Sequence, residues 1–510
     1  IQPSIFFILI ISSRIIASLL IQNSERIEKK SNVIIYGAGK LGVETLNSIN
    51  STRNYNVISF IDDDKSKKNK SIFGIKIHSR KSLPYLVDKN KITDIFISIN
   101  NISQNAKREL VNLLIKYDVR VRVIPGIGNI LSENLLIRDF ETLDVLDLID
   151  RKPVLEKLNL ELIKDSVVLI TGAGGSIGSE ICRQIIMESP KKIILLDHNE
   201  YGLYQINMDL NEIIEKNNLV LVTENILLNV RNKKKIEHIF SLHNPDIVFH
   251  AAAYKHVPLL EKNISESVLN NIHGTFNLAS ISYGKVKKFI LISTDKAVRP
   301  TNIMGATKRF AEMCVQLYAT KSKINKSNTI YSIVRFGNVL GSSGSVIPLF
   351  MKQIKNLGPI TLTHPDVKRY MMTIPEAVQL VLQASSIAEG GDILVLEMGE
   401  QIKIIDLARR LIKLSGLREK SHKDDSRGDI EIKFIGLRPG EKLYEELLIG
   451  NDFKKTNNPL IYTAREDFLN EDLYMQKYDK LIDFAEQENK NNEIIKLLED
   501  SVTGFNFDRK

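Results

Sequence analysis

The sequence predicts an α/β fold built from two tandem strand–turn–helix–strand units, and three observations carry that reading. A short β-type run ends in a glycine-rich turn twice, at Gly37–Gly42 and at Gly172–Gly178. Each turn opens a helical stretch that leads to a second apolar strand. That second strand ends in acid both times, at Asp62-Asp63-Asp64 and at Asp197. Strands alternating with helices in this order imply parallel sheets with helices on both faces.

Composition sets the limits. The chain has 510 residues, enough for two to four domains. Hydrophobic residues make up 43% and charged residues 26%, which excludes whole-chain disorder and a disulfide scaffold. The charge excess is 70 − 61 = +9, spread as Lys among Asn and Ile. Such a diffuse surplus reads as a solvated surface, so no nucleic-acid partner is expected. Cys182 and Cys314 have no metal-ligand spacing and fit a reducing compartment. No metal site is expected.

The elements follow in chain order. The chain opens at Ile1, not Met, which points to a piece of something longer. Ile5–Ile21 is an apolar run interrupted by Ser12, Ser13, Arg14 and Ser18. It is short for a span of about 20 residues, so residues 1–24 are expected to be the remnant of a transmembrane helix. An interfacial helix and a buried helix are the other readings. Arg26, Lys29 and Lys30 follow, which would leave the rest of the chain on the cytoplasmic side of the inner membrane.

The first unit is expected over 31–140. Asn32–Tyr36 is its first strand, and Gly37-Ala38-Gly39-Lys40-Leu41-Gly42 has the GxGxxG spacing of a Rossmann-like turn, in which a side chain would keep the backbone away from a pyrophosphate. Val57–Ile61, Asp94–Ile99 and Val119–Ile124 are further strands. No catalytic set lies between Asn100 and Arg151, so a bound nucleotide and a vestigial or regulatory role both stay open. The acidic, Pro-containing stretch Asp139–Pro153 marks a boundary, and 141–164 is expected to be a linker.

The second unit, expected over 165–450, carries more chemistry. After the strand Val167–Ile170 come Gly172, Gly175, Ser176, Ile177 and Gly178, in the GxxGxxG spacing of a short-chain dehydrogenase/reductase fold. The helix behind them would aim its amides at phosphate. Asp197 at the end of Lys192–Leu196 can accept both ribose hydroxyls and would repel a 2′-phosphate, which predicts NAD rather than NADP. The strand Asp246–His250 opens into Ala251 and Ala252, small enough for a dinucleotide to lie against the backbone. Phe289–Ser293 ends in Thr294, Asp295 and Lys296. Met304 and Lys308 are at i and i+4, on one helical face. Residues 451–510 are Lys/Glu/Asn-rich and partly helix-periodic, and read as a C-terminal helical appendage.

Five segments then occur together: Tyr254-Lys255-His256-Val257-Pro258, Ser293–Pro300, Arg335–Gly344, Arg369–Thr373 and Arg438-Pro439-Gly440-Glu441-Lys442. With them the chain resembles the CapD-like polysaccharide-biosynthesis family, from about Asn32 to about Leu448. Within it the chain most resembles the membrane-anchored UDP-N-acetylglucosamine 4,6-dehydratases. The resemblance implies two tandem Rossmann-like domains, the second an extended short-chain dehydrogenase/reductase fold with a smaller C-terminal substrate-binding part. It also implies a bound NAD, a UDP-sugar substrate and a homo-oligomer.

The implied reaction removes hydride from C4 of the sugar, eliminates water across C5 and C6, and returns the hydride to C6. The resemblance makes Asp295 the acid to the C6 oxygen and Lys296, standing where relatives have Glu, the C5 base. Thr294 would bond the C4 oxygen, and Lys308 the nicotinamide ribose. Met304 stands where related enzymes carry Tyr. A thioether takes no proton, so Asp295, a water or a Thr294 relay must serve C4, and in the family Met here goes with retention at C5. Lys255, His256, Asn338, Ser343, Arg369, Arg438 and Glu441 are the expected UDP-sugar contacts. Asn229 stands where relatives have an acid and could still pair with adenine through its carbonyl.

A useful amine base has a pKa of about 7–8, against about 10.4 for free Lys. Desolvation and nearby cations are expected to lower Lys296, and ionised Asp295 to oppose them. A UDP-sugar 4-epimerase on the same fold and a non-catalytic membrane-bound nucleotide-binding scaffold are the competing readings. Met304 and the Asp295–Lys296 pair argue against the first, and the intact motif set against the second.

Overall fold

The computed structural model describes residues 30–52, 55–100, parts of 102–124, and then 160–420, 428–448 and 453–507, together with residues 13 and 14. The expected membrane segment, apart from those two positions, and most of the expected linker lie outside the described residues. Among the described residues no helix is long and apolar enough to cross a membrane.

The chain divides into two compact units. The first contains a six-stranded sheet. Its strands are β1 (Ser31–Tyr36), β2 (Tyr55–Ile61), β3 (Ser71–Ile72), β4 (Ile75–His78), β5 (Asp94–Ile97) and β6 (Arg120–Val123), in spatial order β3-β4-β2-β1-β5-β6. β1 pairs in parallel with both β2 and β5, so the order reverses at the end of β1, above the first glycine turn. Val33, Ile34 and Ile35 are fully buried, as expected of a strand covered on both faces.

Residues 409–431, expected in the second unit, belong to the first. Asp429 accepts from Arg120 at 2.9 Å, and Arg418 donates to the Thr93 carbonyl at 2.9 Å. Local pattern cannot reveal such an excursion, because the partners are far apart in sequence.

The second unit is built on a nine-stranded sheet. β7 (Val167–Thr171), β8 (Lys192–Asp197), β9 (Val222–Leu227), β10 (Ile247–His250), β11 (Lys288–Thr294) and β12 (Ile330–Phe336) run parallel, in the order β9-β8-β7-β10-β11-β12. The reversal between β7 and β10 opens a crevice at their carboxyl ends, where open α/β sheets bind ligands. The sheet continues through Ile393–Leu396 to the antiparallel strand Ile461–Ala464 and the edge strand Phe453–Lys455.

The C-terminal segment is therefore not an appendage. One of its strands extends the main sheet. Its helices Glu471–Glu486 and Asn491–Glu499 bury Tyr474, Leu481, Ile494 and Leu498 in the core that also holds Phe310 and Tyr331. Its polar composition reflects only the outward face of each helix.

Candidate active site

The cleft lies over the carboxyl ends of the parallel strands and has a volume of about 760 Å³. One half is the glycine turn after β7. Gly172 has φ +69°, and a Cβ there would lie 2.7 Å from the Ala252 amide nitrogen. The turn therefore packs against the Ala251–Ala252 segment, and the helix Ser176–Ile185 begins at the cleft wall. Gly172, Gly175, Ser176, Ile177, Gly178, Ala251 and Ala252 all line the cleft.

Asp197 closes the same half. Its two oxygens accept from the amides of Gly174 and Asn199, each at 2.9 Å, which fixes the carboxylate at the cleft wall. Glycines where side chains would clash, a helix N-terminus and a clamped acid at the end of β8 fit a dinucleotide. Asn229 is not at the cleft wall. Its Oδ1 caps the Arg231 amide at 2.9 Å, and its neighbours Leu228 and Val230 line the cleft instead.

The first unit repeats the clamp. Asp62 accepts from the Ala38 amide at 2.8 Å and the Asp64 amide at 2.9 Å, but Lys67 also reaches it at 3.0 Å. Burial raises this carboxyl's pKa. The amides of Asp64 and Ala38 and the Lys67 charge outweigh burial and hold the pKa below the ordinary range.

The reacting groups sit at the end of β11. Thr294 is followed by one helical turn, Asp295–Ala297. Its hydroxyl donates to Asp295 Oδ1 at 2.8 Å, and Lys296 Nζ donates to the same oxygen at 3.0 Å and to Asn338 Oδ1 at 3.4 Å. Asp295 is fully buried, and its Oδ2 has no hydrogen-bond partner among the described residues. Thr294, Lys296, Met304, Lys308 and Asn338 line the cleft, with Asp295 behind them.

The long helix Ile303–Ile324 locks this turn in place. Its N-cap Asn302 accepts from the Gly305 amide at 2.9 Å. A Cβ on Gly305 would lie 2.2 Å from the Lys296 carbonyl oxygen. Gly305→Ala is therefore expected to force the two backbones apart at a cost of about 1–3 kcal/mol. Thermal unfolding should show the lower stability, and kcat should fall because Lys296 is displaced.

The electrostatics correct one expectation. Burial does lower the Lys296 pKa, but the charges of Asp295 and Glu445 outweigh it, and the ammonium is held above its ordinary value. The expected cationic push comes only weakly, from Arg369. Lys308 behaves differently: burial pushes it down to about 8, with Glu312 partly opposing. Its ammonium donates to the Ile292 carbonyl at 2.7 Å. Lys255 is lowered by burial and by the Lys296 charge, and His256 by burial and Lys255. His250, beneath the cleft between the Thr171 and Thr275 hydroxyls, is pushed down to about 3 by burial and Lys308, so it is neutral.

The expected UDP-sugar residues divide into two groups. Lys255, His256, Asn338 and Ser343 line the cleft, and the Ser343 amide donates to Ser176 Oγ at 3.2 Å. Arg369, Arg438 and Glu441 do not. Glu441 accepts from Thr363 at 3.0 Å, from Arg369 at 3.3 Å and from the Arg438 amide at 3.1 Å, so its oxygens already hold this segment together. The Arg438 side chain is exposed. Glu445 is the residue that sequence reasoning missed. It is 5% exposed and faces the same cations as Asp295. It lies three residues past the Arg438–Lys442 motif, in a stretch with no recognisable signal.

Comparison with known proteins agrees with this geometry. Residues 168–466 match the family described as "Polysaccharide biosynthesis protein", and residues 29–119 match "C2185-like, N-terminal". The capsular polysaccharide biosynthesis protein CapD of Staphylococcus aureus is 44% identical over 437 residues, which is 84% of this chain and 70% of that protein. A UDP-glucose 4-epimerase of Rickettsia canadensis is 34% identical over 301 residues, or 58% of this chain and 81% of that one. The solved structure of Pen from Bacillus thuringiensis is 36% identical, with a TM-score of 0.51, over 59% of this chain and 86% of that one.

Proposed function

Because the chain belongs to the polysaccharide-biosynthesis protein family, we propose that it is a nucleotide-sugar enzyme of one particular kind, an NAD-dependent UDP-N-acetylglucosamine 4,6-dehydratase. The product would be a UDP-4-keto-6-deoxy-N-acetylhexosamine for surface polysaccharide or glycoprotein glycan synthesis. The observation that carries the reading is the Asp295–Lys296 pair at 3.0 Å, set beside Thr294 at the cleft. An acid and a base on one turn suit elimination across adjacent carbons.

The residues that would hold NAD are the Gly172–Gly178 turn, Asp197, Ala251–Ala252 and Lys308. When bound, NAD supplies the acceptor for the C4 hydride and its donor to C6. The chain's own residues do the rest. Thr294 hands the C4 hydroxyl proton to Asp295, to which it is already bonded. Asp295, now neutral, protonates the departing C6 oxygen. Lys296 takes the C5 proton and returns it, with retention at C5 as the proposed outcome. Resting Lys296⁺/Asp295⁻ and reactive Lys296⁰/Asp295H carry the same total charge, so the pair titrates as a unit.

The reading also includes attachment to the inner membrane through Ile5–Ile21, with the catalytic unit in the cytoplasm, and assembly as a homo-oligomer. Its support there is the apolar run and the basic flank at Arg26, Lys29 and Lys30. A UDP-sugar 4-epimerase is the second reading, favoured by the Rickettsia relative. Met304, buried at the cleft where it can pass no proton, weighs against it. The test is to incubate the protein with UDP-N-acetylglucosamine without added reductant. A product lighter by one water supports the dehydratase. An unchanged mass with inversion at C4 supports the epimerase.

A further inference from the structure

We propose that Glu445 is a positioning residue of the catalytic centre, which accepts the proton that Lys296 must lose before it can act as the C5 base. The proposal rests on the dehydratase reading above. Glu445 is 5% exposed, and its backbone is tied down by Gln401, which donates to its carbonyl at 2.6 Å. Its Oε1 lies 3.8 Å from Arg369 Nε, and its Oε2 is buried with no hydrogen-bond partner among the described residues. Asp295 Oδ2 is buried and unpartnered in the same way. Two such oxygens in one cluster are costly as carboxylates, and the cost falls when a proton is shared.

Arg369 does not satisfy Glu445. Its guanidinium donates to the Lys368 carbonyl at 2.7 Å, the Leu443 carbonyl at 3.3 Å and Glu441 at 3.3 Å. The charged groups facing Glu445 are Lys296, Asp295, Arg369 and Lys442. Burial raises the Glu445 carboxyl above its ordinary range. Lys296, Arg369 and Lys442 oppose that shift and Asp295 adds to it. The result is a carboxylate prepared to take a proton beside an ammonium that must give one up.

The protons balance over a turnover. The C4 hydroxyl proton passes through Thr294 to Asp295 as hydride leaves C4. The Lys296 ammonium proton moves to Glu445, which leaves a free amine. That amine takes the C5 proton, the C6–O bond breaks, and the Asp295 proton departs with the oxygen as water. Hydride returns to C6, Lys296 returns the proton to C5, and Glu445 gives its proton back to Lys296. One water is lost, and no outside oxidant or reductant is used.

The test is the pH dependence of kcat for Glu445→Gln. In the unaltered protein the proton stays inside the cluster, so kcat should be level between about pH 6 and 8. In Glu445→Gln, Lys296 must release its proton to solvent. Its kcat should fall about tenfold per pH unit towards acid and recover towards the unaltered value in alkali, with KM little changed. Glu445→Asp should keep the level profile. A level profile in Glu445→Gln, or a higher kcat than the unaltered protein at low pH, would overturn the proposal, because the anion would then act only through its field. A second measurement does not need the Gln variant to fold. Mixing the unaltered protein with UDP-N-acetylglucosamine should raise a protonated-carboxyl infrared band that shifts in Glu445→Asp. A band that does not shift, or no band alongside normal turnover, overturns the proposal. Failure of the dehydratase reading looks different: the unaltered protein then forms no dehydrated product at any pH.

Discussion

Lys296→Met is expected to lower kcat by about 10²- to 10⁴-fold, the contribution typical of a positioned acid or base. KM for the UDP-sugar should change little, because the substitution keeps the length and apolar stem of the side chain. The specific signature is at C5. In deuterated water the unaltered enzyme should place deuterium there, and the residual product of Lys296→Met should carry none. The structure explains why no other group substitutes. Thr294 and Asn338 are neutral, and Lys308 donates its ammonium to the Ile292 carbonyl. A loss of less than tenfold would show that Lys296 is only a counter-ion to Asp295.

Glu312→Gln is expected to have the largest effect on stability. Glu312 is fully buried on the helix Ile303–Ile324. It accepts from Arg335 at 2.7 and 2.5 Å, Arg309 at 3.1 Å and Ser293 at 2.6 Å. Arg335, also fully buried, completes the set with Glu466 at 2.5 and 2.8 Å. Two arginines and two glutamates balance, so removing one charge leaves an uncompensated guanidinium in the core. The expected loss is about 3–5 kcal/mol by denaturant titration. Burial raises the Glu312 pKa, but the charges and hydrogen bonds of Arg335, the Arg309 charge and the Ser293 hydroxyl outweigh it, so the folded pKa is depressed. The stabilisation is therefore full above the unfolded value of about 4.3, and disappears as pH falls through the lower folded value. Glu312→Gln should lack that acid-side dependence.

Short-range features could be read from the chain. The glycine turns, the clamped acids Asp62 and Asp197 and the run Thr294–Lys296 each lie within one strand–turn–helix step, where spacing alone fixes geometry. Met304 and Lys308 could be read because one helical face joins them. Glu466 pairs with Arg335 across the unit, and residues 409–431 leave the second unit for the first, so neither leaves a local trace. The charge state of Lys296 belongs to the same class. Local chemistry suggested a lowered pKa, and the fold reversed the sign by bringing Glu445 to it. The roles expected of Arg369 and Glu441 were displaced for a related reason. Motif context placed them near the substrate, but their hydrogen bonds run to one another and to the backbone.

The most direct test of internal hydride return is turnover of UDP-N-acetylglucosamine carrying deuterium at C4, with the product read by NMR. The proposed mechanism predicts that the label moves to C6 of a 4-keto-6-deoxy sugar. Deuterium found again at C4, on a sugar inverted at that carbon, would contradict it and identify an epimerase.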